Sequence, residues 1–234
     1  MYLTTIYKDI GIETFDWENY FSSESSLDIM NRIDPANVLS IVRGILKEDK
    51  FRLTFVMTKL MNSLLDGTDI KNPKILELGA ATGFLTRWLL NRLGGTGTLV
   101  DKNKSSYEKY KSLPDNFSKS ITYLNVDLFE LKLQERFDIV CSFGLVEHFV
   151  DKQPVVAAHK KFVASNGWVI ILIPLDSPLT RAFLEIHPEL NLGYRELLSE
   201  REFKRMLSDN GLKIIRTEIS QGYCYDFIGA VCCC

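Results

Sequence analysis

From Pro73 onward, short apolar runs alternate along the chain with stretches whose apolar residues recur three and four positions apart. The runs are typical of buried strands and the stretches between them of amphipathic helices. Strands are predicted over residues 74–78, 96–101, 121–124, 137–143 and 168–173, and helices over residues 82–93, 104–113 and 152–164. Strands that alternate with helices favour an α/β fold with a mostly parallel sheet.

The last part of the chain has a different pattern. A capping box at residues 199–202 predicts the start of another helix, and two strands follow at residues 212–219 and 223–231. The turn between those strands is too short for a parallel crossover, so the pair is predicted to be antiparallel. We therefore predict a three-layer αβα sandwich around a mostly parallel, seven-stranded sheet whose last strand is antiparallel.

Upstream of Pro73 the pattern is helical, with apolar residues at helical spacing from Val38 to Leu65. We predict an N-terminal helical cap at residues 1–72 on a core at residues 73–234. Six aromatic residues lie within the first 21 positions: Tyr2, Tyr7, Phe15, Trp17, Tyr20 and Phe21.

Composition narrows the function classes. Hydrophobic residues make up 46% of the chain, charged residues make up 25%, and the net charge is -2. A protein that binds phosphate backbones is usually strongly basic, so we expect no nucleic-acid partner. No apolar stretch approaches the ~20 residues of a membrane span, and the first ten residues do not resemble a secretory signal. We expect a cytoplasmic protein without membrane contact.

The five cysteines match neither a zinc pattern nor a disulfide framework. We therefore predict reduced thiols and no metal site.

The sharpest chemical signal is a buried strand that carries Glu77, turns through small residues and opens a helix. Ligands of open α/β sheets bind beyond the carboxyl ends of the strands. Gly79 and Gly83 let the backbone approach a ligand closely. Asp101 ends the second strand, where its carboxylate can accept hydrogen bonds from both hydroxyls of a ribose. Asp127 lies just past the third strand, within reach of an adenine edge.

In this order and spacing, these residues resemble the class I S-adenosylmethionine (SAM)-dependent methyltransferases. In that Rossmann-like family, Glu-x-Gly-x-x-x-Gly after the first strand wraps the adenosyl and methionine parts of SAM. The acid after the second strand binds the ribose diol, and the acid after the third contacts the adenine amino group. The resemblance runs from about Pro73 to the C-terminus and includes residues 137–148, which end in Glu147-His148.

The resemblance implies SAM as cofactor and S-adenosylhomocysteine as its product. The implied cofactor-binding residues are Glu77, Gly79, Ala80, Ala81, Gly83, Asp101, Lys102, Asp127, Leu128, Ser142 and Phe143.

A dinucleotide is the competing cofactor. Its fingerprint, G-x-G-x-x-G, is broken here by Ala81 and Phe84. Glu77 would also place a negative charge near the pyrophosphate, whereas the sulfonium and ammonium groups of SAM are cationic. An NAD(P)-dependent oxidoreductase and a catalytically inactive SAM-fold binding subunit stay open as alternatives.

The expected reaction is in-line methyl transfer to oxygen, nitrogen or carbon of a small, apolar or aromatic acceptor. His148 is the candidate base, with His187 as its rival, and the alternative for His148 is a role in shaping the pocket. The family's connection at about residues 174–198 commonly covers the substrate, and its N-terminal helices often close over the pocket. The aromatic N-terminus is therefore a candidate lid, with plain packing onto the sheet as the alternative. Candidate substrate-binding residues are Tyr7, Trp17, Tyr20, Phe21, Glu147, His187 and Tyr194. A homo-oligomer stays open.

Overall fold

The structure, a computed structural model, describes residues 2–3, 17–22, 51–113, 120–186, 193–221 and 226–234. In these ranges the strands are β1 (Tyr2–Leu3), β2 (Lys74–Leu78), β3 (Thr96–Val100), β4 (Ile121–Leu124), β5 (Phe137–Phe143), β6 (Val163–Pro174), β7 (Glu196–Leu197), β8 (Lys213–Ser220) and β9 (Phe227–Cys233). The helices are α1 (Trp17–Ser22), α2 (Phe51–Leu64), α3 (Phe84–Leu93), α4 (Lys104–Lys111), α5 (Gln153–Phe162), α6 (Pro178–Ile186) and α7 (Glu200–Asp209), with a short 3-10 turn at Val146–His148.

Seven of the strands form one sheet in the order β4-β3-β2-β5-β6-β9-β8. Neighbours from β4 to β6 are parallel, while β9 runs antiparallel to both β6 and β8. The predicted mostly parallel sheet with an antiparallel last strand is confirmed. Strands β1 and β7 form a separate two-stranded antiparallel pair.

Two apolar clusters pack on opposite faces of this sheet and make the three layers. One contains the buried faces of α2 and α3, with Leu60, Leu64 and Leu89 almost fully buried. The other contains the buried faces of α5 and α7, including Phe162 and Phe203. None of the helices in the described ranges has both the length and the apolarity of a membrane span.

Helix α2 packs against the sheet as part of the core. Its Met57, Leu60 and Leu64 are buried against the antiparallel end of the sheet. A Cβ at Gly229 in β9 would lie 2.8 Å from Leu64 Cδ1, so this glycine allows the close approach of helix and sheet. The predicted helical pattern from Val38 to residue 50 lies outside the described residues.

Among the predicted boundaries that differ from the structure, two have clear local reasons. The helix predicted from residue 82 begins at Phe84, because Gly83 adopts a left-handed φ of 71° at the N-cap. Strand β6 begins at Val163 instead of residue 168, because the pairing with β5 jumps from Phe137↔Val163 to Ile139↔Trp168. Residues 164–167, expected to contain a turn, bulge within the strand.

Candidate active site

A cavity of about 390 Å³ opens at the carboxyl ends of β2, β3 and β5. Its size is typical of a small-molecule site, and it lies where α/β sheets bind their ligands. Its wall contains most of the predicted cofactor residues: Glu77, Gly79, Ala80, Ala81, Asp101, Lys102, Asp127, Leu128 and Phe143.

The loop after β2 has three left-handed residues: Gly79 at φ 64°, Ala81 at φ 46° and Gly83 at φ 71°. The conformation costs roughly 1–2 kcal/mol at a residue with a Cβ, so Ala81 needs support from its surroundings. Its N–H donates to Asp101 Oδ2 at 2.8 Å, and its carbonyl accepts from the Tyr123 hydroxyl at 2.8 Å. The two neighbouring strands therefore hold the loop in shape.

Asp101 is only 7% exposed, and its carboxylate faces the cavity at the end of β3. Besides the Ala81 N–H, it accepts hydrogen bonds from the backbone N–H of Asn103 at 2.8 Å and from Asn103 Nδ2 at 2.9 Å. Burial raises the pKa of Asp101, and these hydrogen bonds oppose the rise. The carboxylate is thereby fixed in orientation before any ligand arrives.

Glu77 caps the helix that follows its own strand. Gly83 has no side chain with which to cap α3, and Glu77 Oε2 instead accepts from the Thr86 backbone N–H at 2.9 Å. Burial raises the pKa of Glu77 to about 7, while the Thr86 hydrogen bonds and the Arg87 charge lower it. The carboxylate occupies the helix end that a dinucleotide's pyrophosphate uses, which disfavours the NAD(P) alternative.

Asp127 and Lys102 form the rim of the cavity. Lys102 Nζ lies 3.4 Å from Asp127 Oδ2, and Asp127 Oδ1 accepts from the Phe129 N–H at 3.0 Å. Leu128 adds an apolar side chain to the same wall. An apolar residue flanked by a fixed acid suits the edge and face of an adenine.

Two predicted cofactor residues are not on the wall. Ser142 points into the core, where its hydroxyl donates to His159 Nε2 at 2.9 Å. His159 in turn donates from Nδ1 to the Val155 carbonyl at 2.7 Å, and burial lowers its pKa to about 4. Gly83 packs closely on β3, since a Cβ there would meet Leu99 Cδ1 at 2.3 Å.

Glu147 and His148 stand on the 3-10 turn after β5, and both line the cavity. The Nδ1–H of His148 donates to the Tyr194 carbonyl at 2.6 Å, which leaves the Nε2 lone pair as the acceptor. Burial, reinforced by the Arg195 charge, lowers the pKa of His148 to about 3, so the ring is neutral. Trp17 meets this ring edge-on, with the centroids 4.8 Å apart.

Glu147 is 1% exposed, and its Oε1 lies 3.7 Å from His148 Nε2. Burial raises the pKa of Glu147 to about 7, against the opposing charges of Arg195 and Lys152. This end of the cavity thus holds a buried carboxyl group next to a neutral imidazole.

The connection before β7 contributes Arg195 to the wall instead of the predicted Tyr194. The Tyr194 ring is buried, and its hydroxyl donates to Glu196 Oε2 at 3.2 Å. Lys152 Nζ bonds the same oxygen of Glu196. Successive side chains of extended backbone point to opposite sides, so a prediction one residue off chose the wrong side chain.

Helix α1 brings the N-terminal segment to the cavity. Trp17 lines the wall, and the Glu18 carboxylate accepts from the backbone N–H groups of Lys104 at 2.9 Å and Ser105 at 2.8 Å. Glu18 therefore caps α4, the helix that follows Asp101. The side chains of Tyr20 and Phe21, and the whole of Tyr7 and His187, lie outside the described residues.

The strand order, the antiparallel β9 and the acid-lined cavity at the carboxyl ends of β2 and β3 define a class I SAM-dependent methyltransferase. The cavity wall carries the carboxylates of Glu77 and Asp101. The chain belongs to the methyltransferase domain family, of which a sequence model matches residues 50–217.

Curated relatives share modest sequence identity with the chain. A ubiquinone biosynthesis O-methyltransferase of Rickettsia canadensis is 23% identical over 84% of this chain and 78% of its own length. A malonyl-[acyl-carrier protein] O-methyltransferase of Acetivibrio thermocellus is 28% identical over 63% of this chain and 52% of its own.

Among solved structures, magnesium protoporphyrin IX methyltransferase from Synechocystis PCC 6803, with bound S-adenosylhomocysteine, superposes with a TM-score of 0.64. It is 16% identical, and the match covers 93% of this chain and 97% of that chain. At this identity the match shows a shared fold.

Proposed function

We propose that the protein methylates the hydroxyl oxygen of a small, apolar or aromatic acceptor. The observation that carries the proposal is the mixed chemistry of one end of the cavity. There, His148, whose Nε2 can accept a hydroxyl hydrogen bond, and the buried Glu147 share a wall with Trp17, Phe143, Phe149 and Phe227. The names of the curated relatives, both O-methyltransferases, support the choice of oxygen.

The residues around the β2–α3 loop fit SAM. Asp101 would hold the ribose hydroxyls, Asp127 and Leu128 the adenine, and the backbone of Gly79 and Ala80 the methionine part. SAM supplies the reaction with an electrophilic methyl group on a cationic sulfonium. The chain supplies alignment and a largely apolar cavity wall, and alignment together with exclusion of water is the main need of an in-line displacement.

His148 is placed to align the acceptor. Its ring is held by Tyr194 and by Trp17, and its Nε2 can accept a hydrogen bond from the acceptor hydroxyl. A hydroxyl held in this way keeps an oxygen lone pair directed at the methyl group.

The variant His148→Ala is expected to lower turnover at least tenfold and to leave the affinity for S-adenosylhomocysteine nearly unchanged, because the ring serves the acceptor and not the cofactor. Steady-state kinetics and calorimetric titration measure the two quantities. The matched control is Val150→Ala, which changes an exposed side chain beyond the same turn. Wild-type turnover in His148→Ala would remove this residue from the mechanism.

Cofactor choice can be tested without knowing the acceptor. SAM and S-adenosylhomocysteine are expected to raise the melting temperature and NADP to leave it unchanged, because Glu77 occupies the end of α3. A ligand at 100 times its dissociation constant stabilises a protein by about 2.7 kcal/mol, which is readily detected by differential scanning fluorimetry. No shift with millimolar S-adenosylhomocysteine, or an equal shift with NADP, would contradict the assignment.

A further inference from the structure

Ala81 holds a backbone conformation that suits glycine better than alanine. Its φ of 46° lies in the left-handed region, as do those of Gly79 and Gly83, which have no Cβ to strain. For a residue with a Cβ, the right-handed and extended regions are lower in free energy. Ala81 lines the cavity, so the wall keeps its shape only while this residue stays left-handed.

The backbone of Ala81 is bonded by two side chains from neighbouring strands. The Tyr123 hydroxyl, on β4, donates to the Ala81 carbonyl at 2.8 Å. Asp101 Oδ2, at the end of β3, accepts from the Ala81 N–H at 2.8 Å. Asp101 lines the cavity, whereas Tyr123 is not among the described residues of its wall. Tyr123 therefore acts on the site through the loop and not through a contact with a ligand.

The Tyr123 ring is held in place by two tyrosines of α4. The ring centroids of Tyr107 and Tyr110 lie 5.0 and 4.9 Å from that of Tyr123. Burial raises the pKa of the Tyr123 hydroxyl, and the Asp101 and Glu77 carboxylates raise it further. The hydroxyl is therefore a protonated donor that is in place before any ligand binds.

We propose that Tyr123 is a positioning residue for SAM, and that its hydroxyl keeps Ala81 in the left-handed conformation that a glycine would adopt without help. Without the hydroxyl, the loop populates a second conformation in which the Ala81 N–H no longer meets Asp101. The apparent affinity for the cofactor then falls in proportion to the fraction of molecules that keep the competent loop. The inference goes beyond the proposed function and does not depend on the acceptor.

The variant Tyr123→Phe removes the hydroxyl and keeps the ring. It is expected to weaken S-adenosylhomocysteine binding about five- to tenfold, the worth of one hydrogen bond. Isothermal titration calorimetry measures the change. The matched control is Tyr107→Phe, which removes a hydroxyl from a neighbouring ring of the same cluster and should bind like wild type. Wild-type affinity in Tyr123→Phe would overturn the proposal.

The substitution Ala81→Gly separates support of the loop from plain packing. Glycine enters the left-handed region without steric cost, so the loop no longer needs the Tyr123 hydroxyl. The double variant Tyr123→Phe/Ala81→Gly is therefore expected to bind within about twofold of Ala81→Gly alone. If Tyr123→Phe weakens binding by the same factor with and without Ala81→Gly, the hydroxyl does not act through the conformation of Ala81, and the proposal is wrong.

Hydrogen exchange at the Ala81 amide follows the conformation itself, because this N–H is bonded to Asp101. Measured by NMR without ligand, exchange is expected to be several-fold faster in Tyr123→Phe than in wild type and unchanged in Tyr107→Phe. A loss of affinity with an unchanged exchange rate would show that Tyr123 acts by another route and would contradict the inference. None of these measurements uses an acceptor, so their outcome is independent of whether the protein methylates a hydroxyl.

Discussion

Replacing Asp101 by alanine is expected to weaken S-adenosylhomocysteine binding about 100-fold. The carboxylate would lose its hydrogen bonds from the ribose hydroxyls, and two bonds to a charged group are worth about 3 kcal/mol or more, which is roughly 100-fold in affinity. It would also lose its bond from the Ala81 N–H, so the left-handed Ala81 would lose one of its two supports. Isothermal titration calorimetry with the purified variant measures the change.

Two comparisons separate ligand contact from loop support. Asp101→Asn keeps the size of the side chain but places a donor toward the N–H groups of Ala81 or Asn103, so an intermediate loss is expected. Asp69→Ala, which removes an exposed acid paired with Lys71 on the surface, should bind like wild type. Wild-type affinity in Asp101→Ala, with an unchanged melting temperature, would remove the ribose role from this residue.

Deletion of residues 1–21 is expected to reduce turnover by roughly 100-fold or more while S-adenosylhomocysteine affinity falls only a few-fold. The deletion removes Trp17 from the cavity wall beside His148 and the β1–β7 pairing at Glu196. Loss of alignment and entry of water are costly for a displacement reaction. The Glu18 cap on α4 is lost as well, which accounts for the expected small loss in affinity.

Single variants keep this prediction decisive if the shortened chain does not fold. Trp17→Ala should reduce turnover without changing cofactor affinity, because Trp17 contacts His148. Glu18→Gln should lower cofactor affinity more than turnover, because Glu18 accepts hydrogen bonds from the helix after Asp101. Equal losses of turnover and affinity in both variants would show that α1 belongs to the cofactor site, and unfolding of the shortened chain would show that it is core.

Much of the sheet was predictable because its strands are apolar runs bounded by turn residues. The start of α3 could not be predicted, since its position depends on the left-handed φ of Gly83. In other contexts a glycine at this position could be the first residue of the helix. The start of β6 was missed because a bulge leaves no apolar signature: residues 164–167 are polar or small, and they read as a turn.

In the site, Glu77, Asp101 and Asp127 were predictable because topology brings the carboxyl ends of parallel strands together. The directions in which side chains point were harder to predict from the sequence. Ser142 is turned toward a histidine seventeen residues further along the chain, which no local pattern indicates. Arg195 lines the cavity in place of the predicted Tyr194, whose hydroxyl bonds Glu196 instead.

The capping of α3 by Glu77 bears on how one sheet architecture serves two classes of cofactor. Nucleotide-binding relatives of this architecture leave the first helix end to the anion of their ligand. Here the carboxylate of Glu77, on the preceding strand, accepts a hydrogen bond from a backbone N–H of that helix end. Attempts to convert this scaffold to a dinucleotide enzyme by adding glycines to the loop would therefore fail while Glu77 remains. A change to a dinucleotide cofactor, by design or by evolution, would have to begin with the replacement of Glu77.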